Sequence, residues 1–563
     1  MLQLPLRAVC LLLAAIFVAG CGKSPEAAKS ASESTPPPEQ TLSLLFTYGS
    51  EKESWIKAVT ADFHARKLKS TSGKFIRIEA IPKGSGECIS ELVDGSGKAD
   101  LTSPASAAFI KLGNAQYRAK TGKDLVGSTD NLVLSPVVIA MWQPMAEALG
   151  WGKHAIGWSD ILALARAPGG WASRGSPQWG RFNFGHTHPD FSNSGLISIL
   201  AEVYAASGKV GGLTPADVAK PQIAPFVADI ERSVVHYGSS TGFFGKKMFA
   251  NGPAYLSAAV MYENMVIESK TEAQKLAFPV VAIYPKEGTF WSDHPVGIVN
   301  GDWVTPERRD AAKQYISFLL ERRQQERAME FGFRPALAEI PLAAPFDAAH
   351  GVDPREPQTT LEAPAAETTD AVLRLWRENK KRSNITLVVD VSGSMNEEQK
   401  LINAKAGAAE MLKMLGDGDL FRLIAFNQAI LPGPPAKRLK ESRPDAERAL
   451  SSLFASGGTA LYDAISRAYQ DQTVSEEKNP DKISALVVLT DGEDTNSKLK
   501  LEQLLPTISG SAEKNSIRIF TIGYGSDARK DVLQSIADRT NGKFYAGTPQ
   551  NIREVFRDIS TFF

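Results

Sequence analysis

Two apolar runs that stop abruptly at oxygen constrain this chain more than any other feature. NITLVVD (384–390) and ISALVVLTDGED (483–494) are unbroken stretches of strand-forming residues, each ending at carboxylates. A strand without apolar/polar alternation is covered on both faces, which is the situation of a parallel sheet flanked by helices. The neighbouring text supplies the rest. EQKLINAKAGAAEMLKML, GGTALYDAISRAY and RKDVLQSIADRT have helical spacing, and DLFRLIAF and IRIFTIGYG are further strands. The expected fold from about residue 382 to 563 is a Rossmann-like, doubly wound α/β domain. In such sheets binding groups gather beyond the C-terminal strand ends. Asp390, Ser392, Ser394, Thr459 and Asp491 all fall at those ends or in the loops after them.

Five oxygen donors with no nitrogen or sulfur suit a hard cation. Mg²⁺ takes octahedral oxygen at about 2.0–2.1 Å and keeps several waters. Mn²⁺ or Ca²⁺ would use the same donors. The segments DVSGS, GGT and LTDG resemble the metal-ion-dependent adhesion site of von Willebrand factor type A domains. That resemblance implies metal coordination by the hydroxyls of Ser392, Ser394 and Thr459. It implies that Asp390 and Asp491 act largely through waters. It also implies a protein partner that offers an acidic side chain to the metal.

Upstream, strand and helix patterns alternate from Thr41 to about residue 335, so a second α/β unit is expected there. Hydroxyls and glycines recur just before its helix candidates, at Tyr48-Gly49-Ser50, Gly84-Ser85-Gly86, Thr102-Ser103-Pro104, Ser192-Asn193-Ser194-Gly195 and Ser239-Ser240-Thr241-Gly242. Helix N-termini carry free N–H groups, and several facing one cleft would hold a small anionic or polar ligand. Each site alone reads equally as a plain helix cap. The ligand-binding candidates are Ser50, Ser85, Ser103, Ser192, Ser194 and Ser240. FTYGSEKESW, GSGECISELVDGSGKADLTSPAS, GHTHPDFSNSGL and GIVNGDWVTPERRDAAKQYISFLL resemble type 2 periplasmic solute-binding proteins. This implies two α/β lobes joined by crossing strands, with NLVLSPVVIAMW as the first crossing and HPVGIVNGDWVT near the second. Binders of oxyanions such as molybdate are the nearest in feel.

The start of the chain reads as a targeting segment. Arg7 precedes the apolar run VCLLLAAIFVA, too short to span a bilayer. Val18-Ala19-Gly20-Cys21 resembles a bacterial lipobox, which implies cleavage before Cys21 and its lipidation. Residues 22–40 are rich in Ser, Pro and Glu, and PLAAPFDAAHGVDPREPQTTLEAPAAET (341–368) is rich in Pro and Ala. The expected order is a signal peptide (1–20), a disordered tether (21–41), a solute-binding-like domain (42–340), a linker with a lead-in helix (341–381), and the metal-site domain (382–563).

Lys plus Arg and Asp plus Glu both number 63, which argues against a basic nucleic-acid binder. Of three cysteines only Cys88 falls in a folded unit, so neither an internal disulfide nor a four-cysteine zinc site is available. His186-x-His188-x-Asp190 has metal-ligand spacing, with a simple loop as the alternative. None of the seven histidines stands in a nucleophile-elbow context. The expected protein is a non-enzymatic, lipid-anchored envelope binder, periplasm-facing or surface-exposed. The alternative is a solute receptor of an ABC-type transporter with an accessory metal-site domain.

Overall fold

The computed structural model describes residues 40–271, 276–431, 433–508, 517–525 and 527–563. The signal-peptide, lipidation (Cys21) and nearly all of the tether expectations lie outside them. Three sheets organise these residues. In the first, the strands run in the order Phe75–Lys83, Thr41–Gly49, Leu101–Ser103, Pro295–Val299, Val126–Asn131. The second is built around Val133–Trp142, whose neighbours include Ala258–Tyr262 and Val280–Ile283, and it continues through Phe184–Thr187 to Val234–Gly238.

The chain passes between these sheets three times, the last time through Arg334–Pro335, which pairs with Val133–Trp142. Val126–Asn131 of the first sheet leads through Leu132 into Val133–Trp142 of the second, and Trp291–Ser292 leads back into Pro295–Val299. The Leu132 amide donates to the His294 carbonyl at 3.1 Å, so the first two crossings are hydrogen-bonded to each other. This is a two-lobed α/β arrangement with its cleft between the lobes.

The third sheet runs in the order Lys437–Arg438, Leu420–Phe426, Ser383–Asp390, Ile483–Thr490, Arg518–Tyr524, Lys543–Gly547, and is parallel except at its first pair. Every residue of Ser383–Asp390 and Ile483–Thr490 is buried, as their unbroken apolar text requires. Strand order reverses at Ser383–Asp390, so the loops after it and after Ile483–Thr490 open a crevice there. The helix Lys400–Met414 packs against Ile552–Ser560 on one face of the sheet. Their approach is close: a Cβ on Gly407 would lie 2.5 Å from the Phe556 ring.

The stretch expected as a linker runs between the two halves and is anchored at intervals by buried residues. Phe346, Val352 and Leu361 are buried, and the Leu361 amide donates to Thr289 at 2.8 Å. The helix Ala366–Asn379 then lies on the second lobe with Val372 and Trp376 fully buried. Isolated apolar residues among prolines are enough here, because each fills a groove already built by the lobe. A cavity of about 690 Å³ remains between this strap and Trp151–Ile156, and none of the expected site residues lines it.

Candidate metal centre and ligand cleft

At the crevice of the third sheet, four of the expected residues, Asp390, Ser392, Ser394 and Asp491, form one hydrogen-bonded group. Asp390 is fully buried. Its Oδ1 accepts from the Ser392 amide at 2.8 Å and its Oδ2 from the Thr490 hydroxyl at 2.6 Å. Ser392 Oγ and Ser394 Oγ stand 3.1 Å apart, and Ser394 Oγ donates to Asp491 Oδ1 at 2.8 Å. The Thr459 loop is tied to the same place through the Gly393 amide, which donates to the Gly457 carbonyl at 2.9 Å. Thr459 is itself held by Thr495 and Asn496, whose amides donate to its carbonyl at 2.8 and 2.9 Å.

The donor set fits a hard dication. Two nearly unexposed carboxylates and the Ser392 and Ser394 hydroxyls converge, with the Thr459 loop alongside, and burial, with help from the Asp491 charge, pushes the Asp390 carboxyl up to about 6 despite its hydrogen bonds. A buried pair of acids is relieved by a cation between them. Asp491 already has one positive neighbour that sequence reasoning missed, the Lys400 ammonium at 2.8 Å from Oδ2. Among the described residues no group of three His, Cys, Asp or Glu side chains is placed to hold a metal ion, so this centre would rest on two carboxylates and on hydroxyls. His186-x-His188-x-Asp190 is accordingly structural. His186 Nε2 pairs with buried Glu231 at 2.9 Å, His188 packs edge-on to Trp376, and Asp190 binds Arg377 at 2.5 Å.

In the cleft, all six candidate serines are buried and most meet. Ser50 Oγ of the first lobe donates to Ser240 Oγ of the second at 2.8 Å, and accepts from the Gly242 amide at 3.0 Å. Ser192 and Ser194 both contact Thr241, at 3.2 and 2.8 Å, and Ser194 also meets Thr187 at 2.8 Å. Ser85 turns to its own lobe and accepts from the Ala105 amide at 2.9 Å. The Ser103 hydroxyl has no partner among the described residues.

The lobes are therefore shut on each other. At the start of the helix Thr241–Asn251, the Ser50 hydroxyl accepts from the Gly242 amide, one of the first-turn N–H groups that has no partner within the helix. Glycine makes the contact possible, since a Cβ on Gly242 would lie 2.5 Å from the Ser50 carbonyl group. Gly242→Val should wedge the lobes apart at a cost of about 1–3 kcal/mol. Small-angle scattering should then report a larger radius of gyration, whereas Gly492→Ala, at a site with open space, should leave it unchanged. An unchanged radius for Gly242→Val would mean that this seam does not hold the lobes together.

Beside the seam lies a charged cluster that the hydroxyl pattern of the sequence does not announce. Lys52 is fully buried, with Nζ 2.7 Å from Glu51 Oε1 and 3.1 Å from His294 Nδ1. Burial pushes Glu51 upward, but Lys52 and His294 outweigh it and hold the carboxyl down at about 2. Burial and the Lys52 charge lower His294. His294 sits at φ 38°, a left-handed conformation unusual for a side-chain-bearing residue. His294 Nε2 and Asn193 Oδ1 lack partners among the described residues. Asn193 Nδ2 donates to Tyr262 and Ser292 at 3.1 and 3.0 Å. The only local signal was a Glu-Lys pair placed directly after an apolar strand. A cavity of about 140 Å³ opens next to Ser50 and Glu51, walled on the other side by Gly242, Lys246 and Met265.

The third sheet is joined to the back of the second lobe. Trp376 packs edge-on against His188 and Tyr237, with ring centroids 4.8 and 5.5 Å away. Phe562 stacks on His236 at 5.4 Å, and the Phe562 carbonyl accepts from the Tyr237 amide at 3.4 Å. Lys380 Nζ donates to the Phe563 carbonyl. His188 and Tyr237 lie just before the hydroxyl turns at Ser192 and Ser240.

Comparison with known proteins agrees with this two-part anatomy. Residues 44–334 match the model for bacterial extracellular solute-binding proteins, and residues 384–558 match that for the von Willebrand factor type A domain. The chain is 28% identical over 191 residues to inter-alpha-trypsin inhibitor heavy chain H2 of Mus musculus, covering 32% of this chain and 20% of that protein. The chain thus spans about a fifth of the length of the first curated relatives it matches. An uncharacterized protein of Mycobacterium tuberculosis is 21% identical over 458 residues, covering 76% of this chain and 63% of that one. Among solved structures, a periplasmic thiamin binding protein is 14% identical with a TM-score of 0.44, covering 61% of this chain and 96% of that chain.

Proposed function

This chain belongs to the bacterial extracellular solute-binding protein family and carries a von Willebrand factor type A domain, and from that premise we propose a non-enzymatic, lipid-anchored binding protein of the cell envelope. Its two lobes receive a small anionic or polar ligand, and its third sheet binds a protein partner in a Mg²⁺-dependent way. Asp390, Ser392, Ser394, Thr459 and Asp491 would hold the cation, with Mn²⁺ or Ca²⁺ as substitutes. When bound, the cation supplies a positive site for a partner's carboxylate. Cys21 would carry the lipid, with the folded part in the periplasm or on the surface. None of the described helices is long and apolar enough to cross a membrane.

One observation carries this reading: hydroxyls and carboxylates from separate loops converge at Asp390 and Asp491. The protein's own side chains position those oxygens. Thr490 and the Ser392 amide orient Asp390, and Ser394 orients Asp491. The test is a melting series on the full chain with Mg²⁺, Mn²⁺, Ca²⁺ and chelator, followed by oxyanions, sugars and amino acids. A cation at about 100 times its dissociation constant should stabilise the fold by about 2.7 kcal/mol. Chelator should reverse that shift. No shift with any of the three cations would sink the metal-dependent part, and no shift with any small solute would sink the ligand-binding part.

A further inference from the structure

The metal centre contains a cation of its own. Lys400 is 5% exposed, and its Nζ stands 2.8 Å from Asp491 Oδ2. The other Asp491 oxygen accepts from Ser394. Asp390, by contrast, accepts from the Ser392 amide and the Thr490 hydroxyl.

The backbone is bent to put Lys400 there. Glu398 and Gln399, immediately before it, occupy successive left-handed positions with φ 48° and 58°. Residues other than glycine rarely adopt that conformation, and they keep it where the surroundings over-determine it. Gly525 lies alongside: its Cβ, if present, would be 3.5 Å from Lys400 Cε. The ammonium also has a second anion within reach, the Glu397 carboxylate at 3.8 Å on the surface.

We propose that Lys400 is a positioning and affinity-setting residue: its ammonium holds Asp491 when the dication is absent and, by repulsion, weakens binding of the dication at the same carboxylate. Two acids and one ammonium leave the centre with a formal charge of −1, where two acids alone would give −2. The site then requires a higher concentration of free dication to load. This inference rests on the metal-dependent reading above.

Calorimetric titration of Mg²⁺ and Mn²⁺ into the full chain tests it. Lys400→Met should tighten the dissociation constant about tenfold, the size expected for removing a like charge at short range in a partly screened site. Lys400→Gln should shift it in the same direction, and Lys400→Arg should restore the original value. In chelator, Lys400→Met should melt below the parent chain, because two acids then lack a counter-ion; in saturating Mg²⁺ the gap should close. Parent-chain binding with unchanged or weaker affinity in both Lys400→Met and Lys400→Gln overturns the inference and leaves the metal reading standing. A parent chain that binds neither ion overturns both.

Discussion

Trp376→Ala should split the protein's unfolding into two transitions and lower the stability of the joined state by about 3–5 kcal/mol. The indole is fully buried against the second lobe, edge-on to His188 and Tyr237, and Lys380 at the end of its helix reaches the Phe563 carbonyl of the third-sheet half. The Lys380 ammonium lies 5.7 Å from its ring. Truncation would remove the largest apolar surface of this junction and leave Lys380, whose pKa burial lowers, facing a void. Phe562 on His236 and Arg518 over Tyr255 would remain as ring contacts between the halves. Denaturant titration followed by two probes, one per half, is the measurement. Coincident transitions with an unchanged midpoint would show that Trp376 does not join the halves. The same truncation loosens the backing of the strands whose tips carry Ser192, Ser194 and Ser240, so cleft affinity should fall with it.

Asp390→Ala should abolish Mg²⁺ binding, with at least a hundredfold loss by calorimetry, while residues 40–335 keep their fold. The reasoning is local. Asp390 sits at the end of a strand buried on both faces, and the carboxylate beside it, Asp491, is committed to Ser394 and Lys400. The alanine would leave the Thr490 hydroxyl and the Ser392 amide without their acceptor, at about 1–3 kcal/mol. Relief of a buried acid whose pKa is pushed up to about 6 offsets part of that cost. Asp390→Asn separates the effects: its one oxygen still accepts from the Ser392 amide, and its Nδ2 can donate to the Thr490 hydroxyl once that hydroxyl turns to accept, so its melting point in chelator should match or exceed the parent's while Mg²⁺ binding is still lost. Retention of Mg²⁺ affinity by either variant would place the cation elsewhere.

Much of this anatomy was written locally. The parallel third sheet follows from NITLVVD and ISALVVL, because a strand with no polar alternation can only be covered on both faces. Asp390, Ser392, Ser394 and Asp491 follow from the same text, since they lie within a few residues of those strand ends. The hydroxyl turns before the second lobe's helices were legible for a like reason. Local pattern reports which residues are buried and which end a strand or begin a helix.

What local pattern does not report is which distant group a polar atom finds. Ser50 meets Ser240 across 190 positions, and His186 meets Glu231 across 45. Lys400 reaches Asp491 across 91 positions, by way of a backbone turn with no glycine to announce it. The Pro- and Ala-rich stretch read as a linker is anchored because grooves made by other elements accept Phe346, Val352, Leu361 and Trp376. Polar pairing and groove filling depend on surfaces that exist only once the sheets have assembled. The sequence by itself therefore determined the layers and the oxygen-bearing loops, while tertiary packing decided the closed cleft, the joined halves and the ammonium at the metal centre.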